Sequence, residues 1–340
     1  MRVLHVLRQS YGGTLTHVNN LQTVLLELGH ESGKFGNESV IPRIPDYWSD
    51  KKIFKTLQDK AKEFDIVHAH GYRAAWLCAG FKGTPWVFTA HSPLKKKNYD
   101  LIKRLNRSDA GFAVSVFIAS QLESWGVQHL VINPGGLLLP FGETLQKDDA
   151  KRRFRFEPSQ PVISALGRLV PEKGFYVLVK ALENVWDILP QTCLLLSGTG
   201  PQREELRELA MKASKPENIR YVEKWPKAEQ IYCAGDLFVM PSLSEGLGLA
   251  SIEAMSLGVP VLARDVEGLG TVFEDGVSGV YFKSDEELPL KICELLQAPT
   301  FLRTIANAGR LRVEERFDFR KNVHAIIEVY EKAIKRRSKK

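Results

Sequence analysis

The sequence lacks any run approaching the roughly 18 consecutive apolar residues that a membrane-spanning helix requires. Its start, Met1-Arg2-Val3-Leu4-His5-Val6-Leu7, carries too short an apolar stretch for a secretory signal and reads as a first β-strand. Cysteine is scarce. Cys78, Cys193, Cys233 and Cys293 lie far apart with no Cys-x-x-Cys pair, which argues against a disulfide framework or a zinc cluster and fits a reducing cytoplasm. Zinc-finger spacing, an aromatic RNA-binding signature and a basic recognition helix are also missing, so nucleic acid is a poor partner despite a net charge of +7. Much of that excess sits in Lys95-Lys96-Lys97 and in Lys335-Arg336-Arg337-Ser338-Lys339-Lys340. These clusters suit an anionic membrane surface or a phosphorylated substrate, or are simply solvated.

What is present is length and alternation. With 340 residues and 44% apolar content the chain exceeds what one core usually serves, which predicts two α/β domains with a ligand cleft between them. Strands are expected at Val3–Leu7, Ile66–His70, Trp86–Ala90, Gly111–Ser115 and Leu130–Asn133, with a helix over Thr16–Leu28. A polar stretch from about Gly142 to Pro161, with a helix near Asp148–Phe154, reads as the connector. A second series follows at Val162–Leu166, Thr192–Ser197, Ile219–Val222, Leu237–Pro241, Val259–Ala263 and Gly279–Phe282. Alternation of this kind implies parallel strands joined by crossover helices, whose ligands sit beyond the C-terminal strand ends.

Three strand-to-helix segments carry candidate chemistry. Gly12 and Gly13 follow the first strand, where paired glycines let a ligand approach the backbone and a helix N-terminus offers free amides to a phosphate. The third glycine of a dinucleotide fingerprint is missing. In Gly167-Arg168-Leu169-Val170-Pro171-Glu172-Lys173-Gly174, two cations surround a helix N-terminus, where positive charge is disfavoured without an anion nearby. Glu172 could neutralise one cation, whereas a diphosphate could neutralise both. The third segment runs from Pro241 to Pro260. There Glu245 lies on the loop before a short helix, Leu249–Leu257, and Glu253 lies about one turn inside it. The two carboxylates can therefore touch different parts of one extended ligand, with the amides of Gly246, Leu247, Gly248 and Leu249 directed at it. The alternative is that Glu245 caps the helix and Glu253 is a solvated surface residue.

The Glu-x7-Glu spacing of Glu245 and Glu253 in Glu-Gly-Leu-Gly-Leu-Ala-Ser-Ile-Glu-Ala-Met, with Gly-Arg-Leu-Val-Pro-Glu-Lys-Gly upstream, resembles family 4 of the retaining glycosyltransferases. Gly198-Thr199-Gly200-Pro201, Asp236–Ser242 and Gly12-Gly13 agree with it, so the resemblance spans nearly the whole chain. It implies an α/β GT-B fold of two facing Rossmann-like domains with a central cleft. Residues 1–141 would form the acceptor domain, joined by a last helix, 320–340, that crosses back, and residues 142–319 the donor domain. By motif match, Arg168 and Lys173 would hold the donor diphosphate, Glu253 the ribose hydroxyls, and Glu245 with the Gly246–Leu249 amides the transferred sugar. His91 falls where the family places a histidine beside that sugar, and Gly12, Gly13 and Gly198 match donor-site loops. Leu247 stands where phenylalanine is common, and Asn133-Pro134-Gly135-Gly136 replaces the usual Asn-Gly-Val-Asp ending of the first domain.

The resemblance implies transfer from a UDP- or GDP-sugar by front-face attack, with Arg168 and Lys173 doing what a divalent metal does in the other major glycosyltransferase fold. The sequence has no Asp-x-Asp, consistent with no metal and no other cofactor. His91 to Leu105 alternates basic with apolar residues, which suggests peripheral docking on the inner face of the cell membrane and a lipid-linked or cell-envelope glycan acceptor. An inactive nucleotide-sugar binder and a GT-B epimerase are the competing readings.

Overall fold

Residues 1–8, 12–37, 39–42, 47–143, 145–223 and 227–338 are described by the computed structural model. They form two compact units, Met1–Leu138 with Phe317–Lys340, and Leu139–Arg316. The first contains β1 (Arg2–Leu7), β2 (Glu31–Phe35), β3 (Ile66–His70), β4 (Trp86–Ala90), β5 (Ala110–Ala113) and β6 (Leu130–Ile132). All pair in parallel in the order β2-β1-β3-β4-β5-β6. β3 and β4 are buried at every position, as strands covered on both faces must be. β2 went unanticipated because Glu31-Ser32-Gly33-Lys34-Phe35 is a polar edge strand with no fully buried residue, and an apolar run is the signal by which strands are read.

Helices α1 (Gly13–Glu27), α2 (Tyr47–Ala61), α3 (Tyr72–Cys78), α4 (Tyr99–Leu105) and α5 (Val116–Ser124) link these strands. Polar caps fix two of them: the Asn98 side chain accepts from the Leu101 amide at 3.0 Å, and Ser115 from the Ile118 amide at 3.4 Å. The chain's last helix, α13 (Phe319–Ser338), belongs to this unit. Its Phe319, Val323, Ile326, Tyr330 and Ala333 join Val3, Leu21, Val24, Ile66 and Val87 in one core.

The second unit starts with α6 (Lys147–Arg153) and repeats the plan with β7 (Val162–Leu166), β8 (Cys193–Ser197), β9 (Ile219–Val222), β10 (Leu237–Met240), β11 (Val261–Arg264) and β12 (Val280–Phe282). Their order is β12-β11-β10-β7-β8-β9. The polar stretch expected as a connector is packed onto this unit, because Ala150, Phe154 and Phe156 bury beside Val162 and Leu195 and Lys151 is buried against the Asp236 carboxylate at 2.7 Å, while its other charges stay outside. Helix α7 (Phe175–Ile188) buries Phe175, Leu178, Val179, Leu182, Val185 and Trp186, the 3- and 4-residue spacing of one helical face. Truncating a residue such as Leu182 there costs about 2–5 kcal/mol. The remaining helices are α8 (Arg203–Met211), α9 (Ala228–Ala234), α10 (Leu249–Ser256), α11 (Glu287–Leu296) and α12 (Pro299–Arg316). Among the described residues, no helix is long and apolar enough to cross a membrane.

Candidate active site

In the second sheet the chain winds from β7 outward through β8 and β9, then returns to lay β10 on the other side of β7. Loops leaving two such neighbours run to opposite sides of the sheet, and ligands of open α/β sheets bind at that reversal. Lys173 lies on the loop after β7 and Glu245 on the loop after β10. Their Nζ and Oε1 meet at 2.5 Å, with the Lys173 side chain about a quarter exposed (24%) and that of Glu245 nearly buried (8%). Two glycines make this approach possible. Gly174, at φ 67°, would place a Cβ 2.1 Å from the Pro241 carbonyl oxygen, and Gly268 would place one 1.9 Å from the Glu245 carbonyl oxygen. Side chains at either position would push the two loops apart.

Glu245 does not cap α10; the N-cap is Gly248 in the left-handed conformation, with no side-chain cap. The amides of Gly246, Leu247, Gly248 and Leu249 have no hydrogen-bond partner among the described residues, although Gly246, Leu247 and Gly248 are buried. A row of unpaired amides at a helix start favours an anion or a hydroxyl oxygen. Glu253, in α10, is half-buried and not a solvated surface group. It accepts a 2.5 Å hydrogen bond from the hydroxyl of fully buried Tyr232. Burial pushes the Glu253 carboxyl up to about 7, against the opposing pull of that bond. Burial and the Glu253 charge hold the Tyr232 phenol well above its usual range.

Arg168 is exposed on the β7 loop, with no ion pair or hydrogen bond to a side chain among the described residues. Its loop is stitched to the next one: Leu169 N donates to Thr199 O at 2.8 Å and Gln202 N to Leu169 O at 3.0 Å. Gly198 sits in that seam. Arg168, Lys173, Gly198, Glu245 to Leu249 and Glu253 thus share one edge of the second unit, the C-terminal edge of its sheet.

Gly12, Gly13 and His91 belong to the first unit. Gly12, at φ 78°, precedes α1 without a side-chain cap, and Gly13 begins that helix. Gln9, Ser10 and Tyr11 lie outside the described residues. His91 directly follows β4, edge-on to His17 with ring centroids 4.9 Å apart, and its Nε2 lies 3.3 Å from His70 Nδ1. The reversal in this sheet falls between β1 and β3, which carry His5, His68 and His70. In α4, Leu101, Ile102 and Leu105 are buried, so the apolar face expected at a membrane is turned into the unit, while Lys95 to Lys97 and Tyr99 are exposed.

Two family models match: "Glycosyltransferase Family 4" over residues 11–137 and "Glycosyl transferases group 1" over residues 146–312. The chain belongs to glycosyltransferase family 4. It is similar to a D-inositol 3-phosphate glycosyltransferase of Segniliparus rotundus, 30% identical over 279 residues, covering 74% of this chain and 62% of that protein. A second such enzyme, from Nocardia farcinica, is 30% identical over 66% of this chain and 56% of its own length. The chain therefore spans about three fifths of these curated relatives. Among solved structures, Anabaena HepE in complex with UDP-glucose gives a TM-score of 0.84 at 20% identity, covering 98% of this chain and all of that one. Sucrose-phosphate synthase of Thermosynechococcus elongatus gives 0.81 at 21% identity, covering 97% and 98%. The fold is GT-B in type, two six-stranded Rossmann-like units.

Sequence reasoning about this family 4 chain missed Tyr232, Gly268 and four of the five clustered histidines. The last had a usable signal: His68 and His70 alternate on a strand buried throughout, where apolar residues are the rule. Burial lowers the His5 imidazole to about 3 and that of His17 to about 4, and holds His68, His70 and His91 well below the ordinary histidine range. Two triads, His5-His68-His70 and His17-His70-His91, bring ring nitrogens within 4.8 Å of one another, close enough for a divalent metal. However, His68 already bonds Tyr330 at 2.5 Å and Thr89 at 2.7 Å, and both nitrogens of His70 face other imidazoles. A metal would have to break those contacts, so the cluster reads as a neutral hydrogen-bonded array.

Proposed function

We propose that this chain is a retaining glycosyltransferase, moving a sugar from a UDP- or GDP-sugar held by the second unit to a glycan or lipid-linked acceptor held by the first. The observation that carries this is the Lys173–Glu245 pair at the sheet reversal, flanked by the unpaired amides of Gly246 to Leu249. Arg168 and Lys173 bind the diphosphate, Glu253 the ribose hydroxyls, and Glu245 with those amides the transferred sugar. The motif match assigns Gly12, Gly13 and His91, in the first unit, to donor contact as well. The UDP-glucose bound by HepE supports a nucleotide-sugar donor.

As the bond from the anomeric carbon to the diphosphate oxygen breaks, positive charge develops on the sugar and negative charge on the leaving phosphate. Lys173, held by Glu245, and the amides are in place before the reaction and, with Arg168, stabilise that negative charge. The acceptor oxygen attacks from the face the phosphate leaves, and its proton passes to the departing phosphate oxygen. No metal ion takes part in this scheme. Lys95, Lys96 and Lys97 with exposed Tyr99 supply electrostatic contact with an anionic membrane surface on the cytoplasmic side. Loss of binding to anionic vesicles in a triple lysine-to-alanine variant checks this, and unchanged binding refutes it.

The deciding experiment is a melting-temperature screen against nucleotide sugars, with and without EDTA. A ligand at about 100 times its Kd adds about 2.7 kcal/mol to stability. A shift that survives EDTA, followed by an α-linked product from an α-linked donor, is the expected result. A shift without product points to an inactive binder, and an inverted product removes the retaining mechanism.

A further inference from the structure

Three imidazoles of the first unit form a continuous chain. His5 Nδ1 lies 3.0 Å from His70 Nε2, and His70 Nδ1 lies 3.3 Å from His91 Nε2. His5 is wholly buried and its other nitrogen, Nε2, has no partner. His91 is half-buried, and its Nδ1 has no partner among the described residues.

A neutral imidazole carries one N–H. If each of the two contacts holds one proton, only two arrangements exist. In one, every N–H points from His5 toward His91, and His91 ends the chain with Nδ1–H directed outward. In the other every proton is reversed, and His5 must keep an N–H at Nε2 with nothing to accept it. A buried donor without an acceptor costs about 1–3 kcal/mol and is rare in folded proteins. The Lys34 ammonium, on the β2 residue that pairs with His5, adds a positive field that opposes further positive charge on that ring. His68 and His17, the other imidazoles around the chain, make no hydrogen bond to it; His68 is satisfied by Tyr330 and Thr89.

We infer that His5 and His70 are positioning residues which fix His91 in a single tautomer, Nε2 bare and bonded inward and Nδ1–H presented outward as a neutral donor to a ligand oxygen. The inference rests on the donor-site reading of His91 and adds to it which atom acts and what sets it. The distinction matters because a neutral donor binds a sugar oxygen without attracting the diphosphate, which a cationic imidazolium would do. Depressed titration of all three rings keeps the chain neutral well below pH 7.

Long-range 1H–15N correlation spectra of the full chain labelled with [15N]histidine read the tautomers directly, and the His91 ring is identified by its loss in His91→Ala. The expected spectrum has His91 protonated at Nδ1 only. Protonation at Nε2, or an averaged ring, overturns the inference. His5→Phe should introduce the second His91 tautomer, and His5→Gln, whose amide can still donate to His70, should restore the single form. A single Nδ1–H form in folded His5→Phe also overturns it; if that variant does not fold, the parent spectrum decides. Turnover plays no part in these readouts. Full activity in His91→Ala would remove the donor-site role of His91 and leave the relay standing.

Discussion

At Glu253 ligand binding and stability pull in opposite directions. Ribose hydroxyls donate hydrogen bonds, and a charged carboxylate accepts them better than its protonated form. With the Glu253 carboxyl near 7 in the ligand-free protein, roughly nine tenths of it is charged at pH 8 and roughly one tenth at pH 6. Affinity for a nucleotide sugar should therefore fall about tenfold, or about 1.4 kcal/mol, between those pH values. Isothermal titration with an intact nucleotide sugar reads this cleanly, because a free nucleoside diphosphate has a terminal phosphate that itself titrates near pH 6. Glu253→Gln should bind weakly and without pH dependence. The stability effect has the other sign. The unfolded carboxyl titrates near 4.5 and the folded one near 7, so between those values the folded state holds a proton that the unfolded state has released. The resulting cost is about 3 kcal/mol at pH 8 and is relieved as pH falls from 7 toward 4.5. Glu253→Gln should thus melt higher than the parent at pH 8, with the gain shrinking toward pH 5. Equal affinity at pH 6 and pH 8, or a lower melting temperature for the variant at pH 8, would refute the reasoning.

The histidine array makes the first unit acid-sensitive. Its rings titrate below 6.5 when folded, so their stabilising contribution is complete above 6.5 and declines by up to about 1.4 kcal/mol per pH unit per ring as pH falls. Thermal unfolding at pH 7 and pH 5 checks this, and an unchanged melting temperature contradicts it. Lys173→Ala should lower kcat at least tenfold, about 1.4 kcal/mol of transition-state stabilisation, and near-normal turnover would remove its assigned role. Gly174→Ala combines a positive φ with a contact at the Pro241 carbonyl, and should cost at least about 1–3 kcal/mol while weakening nucleotide-sugar binding. A calorimetric scan and a titration on the same sample test both parts.

Buried strands were legible because apolar runs bounded by turn residues leave few alternatives; β3, β4 and β7 fall where alternation placed them. β2 was not, since an edge strand half open to water needs no apolar pattern. The carboxylate spacing of Glu245 and Glu253 is local, on one loop and the helix after it, and could be read directly. What reaches those residues could not. Tyr232 is 21 positions from Glu253, and Gly268 meets Glu245 only because β10 and β11 pair. The contact of Lys173 with Glu245, 72 residues away, follows from the β7–β10 pairing, which a list of strands does not specify. His91 was noticed through a family pattern, whereas His5 and His70 act on it through sheet register.

Helix α13 has a consequence for how the protein is made. Leu139–Arg316 is in effect an insertion within the first unit, and α13 supplies Phe319, Val323, Ile326 and Tyr330 to a core whose other members were synthesised some 200 to 300 residues earlier. On the ribosome, where domains generally fold in order of emergence, the unit begun first is the one that closes last. Until α13 emerges, the helix-facing surface of Val3, Leu21 and Ile66 is uncovered and His68 lacks its Tyr330 partner. The apolar residues that α13 covers therefore lack that cover through most of translation.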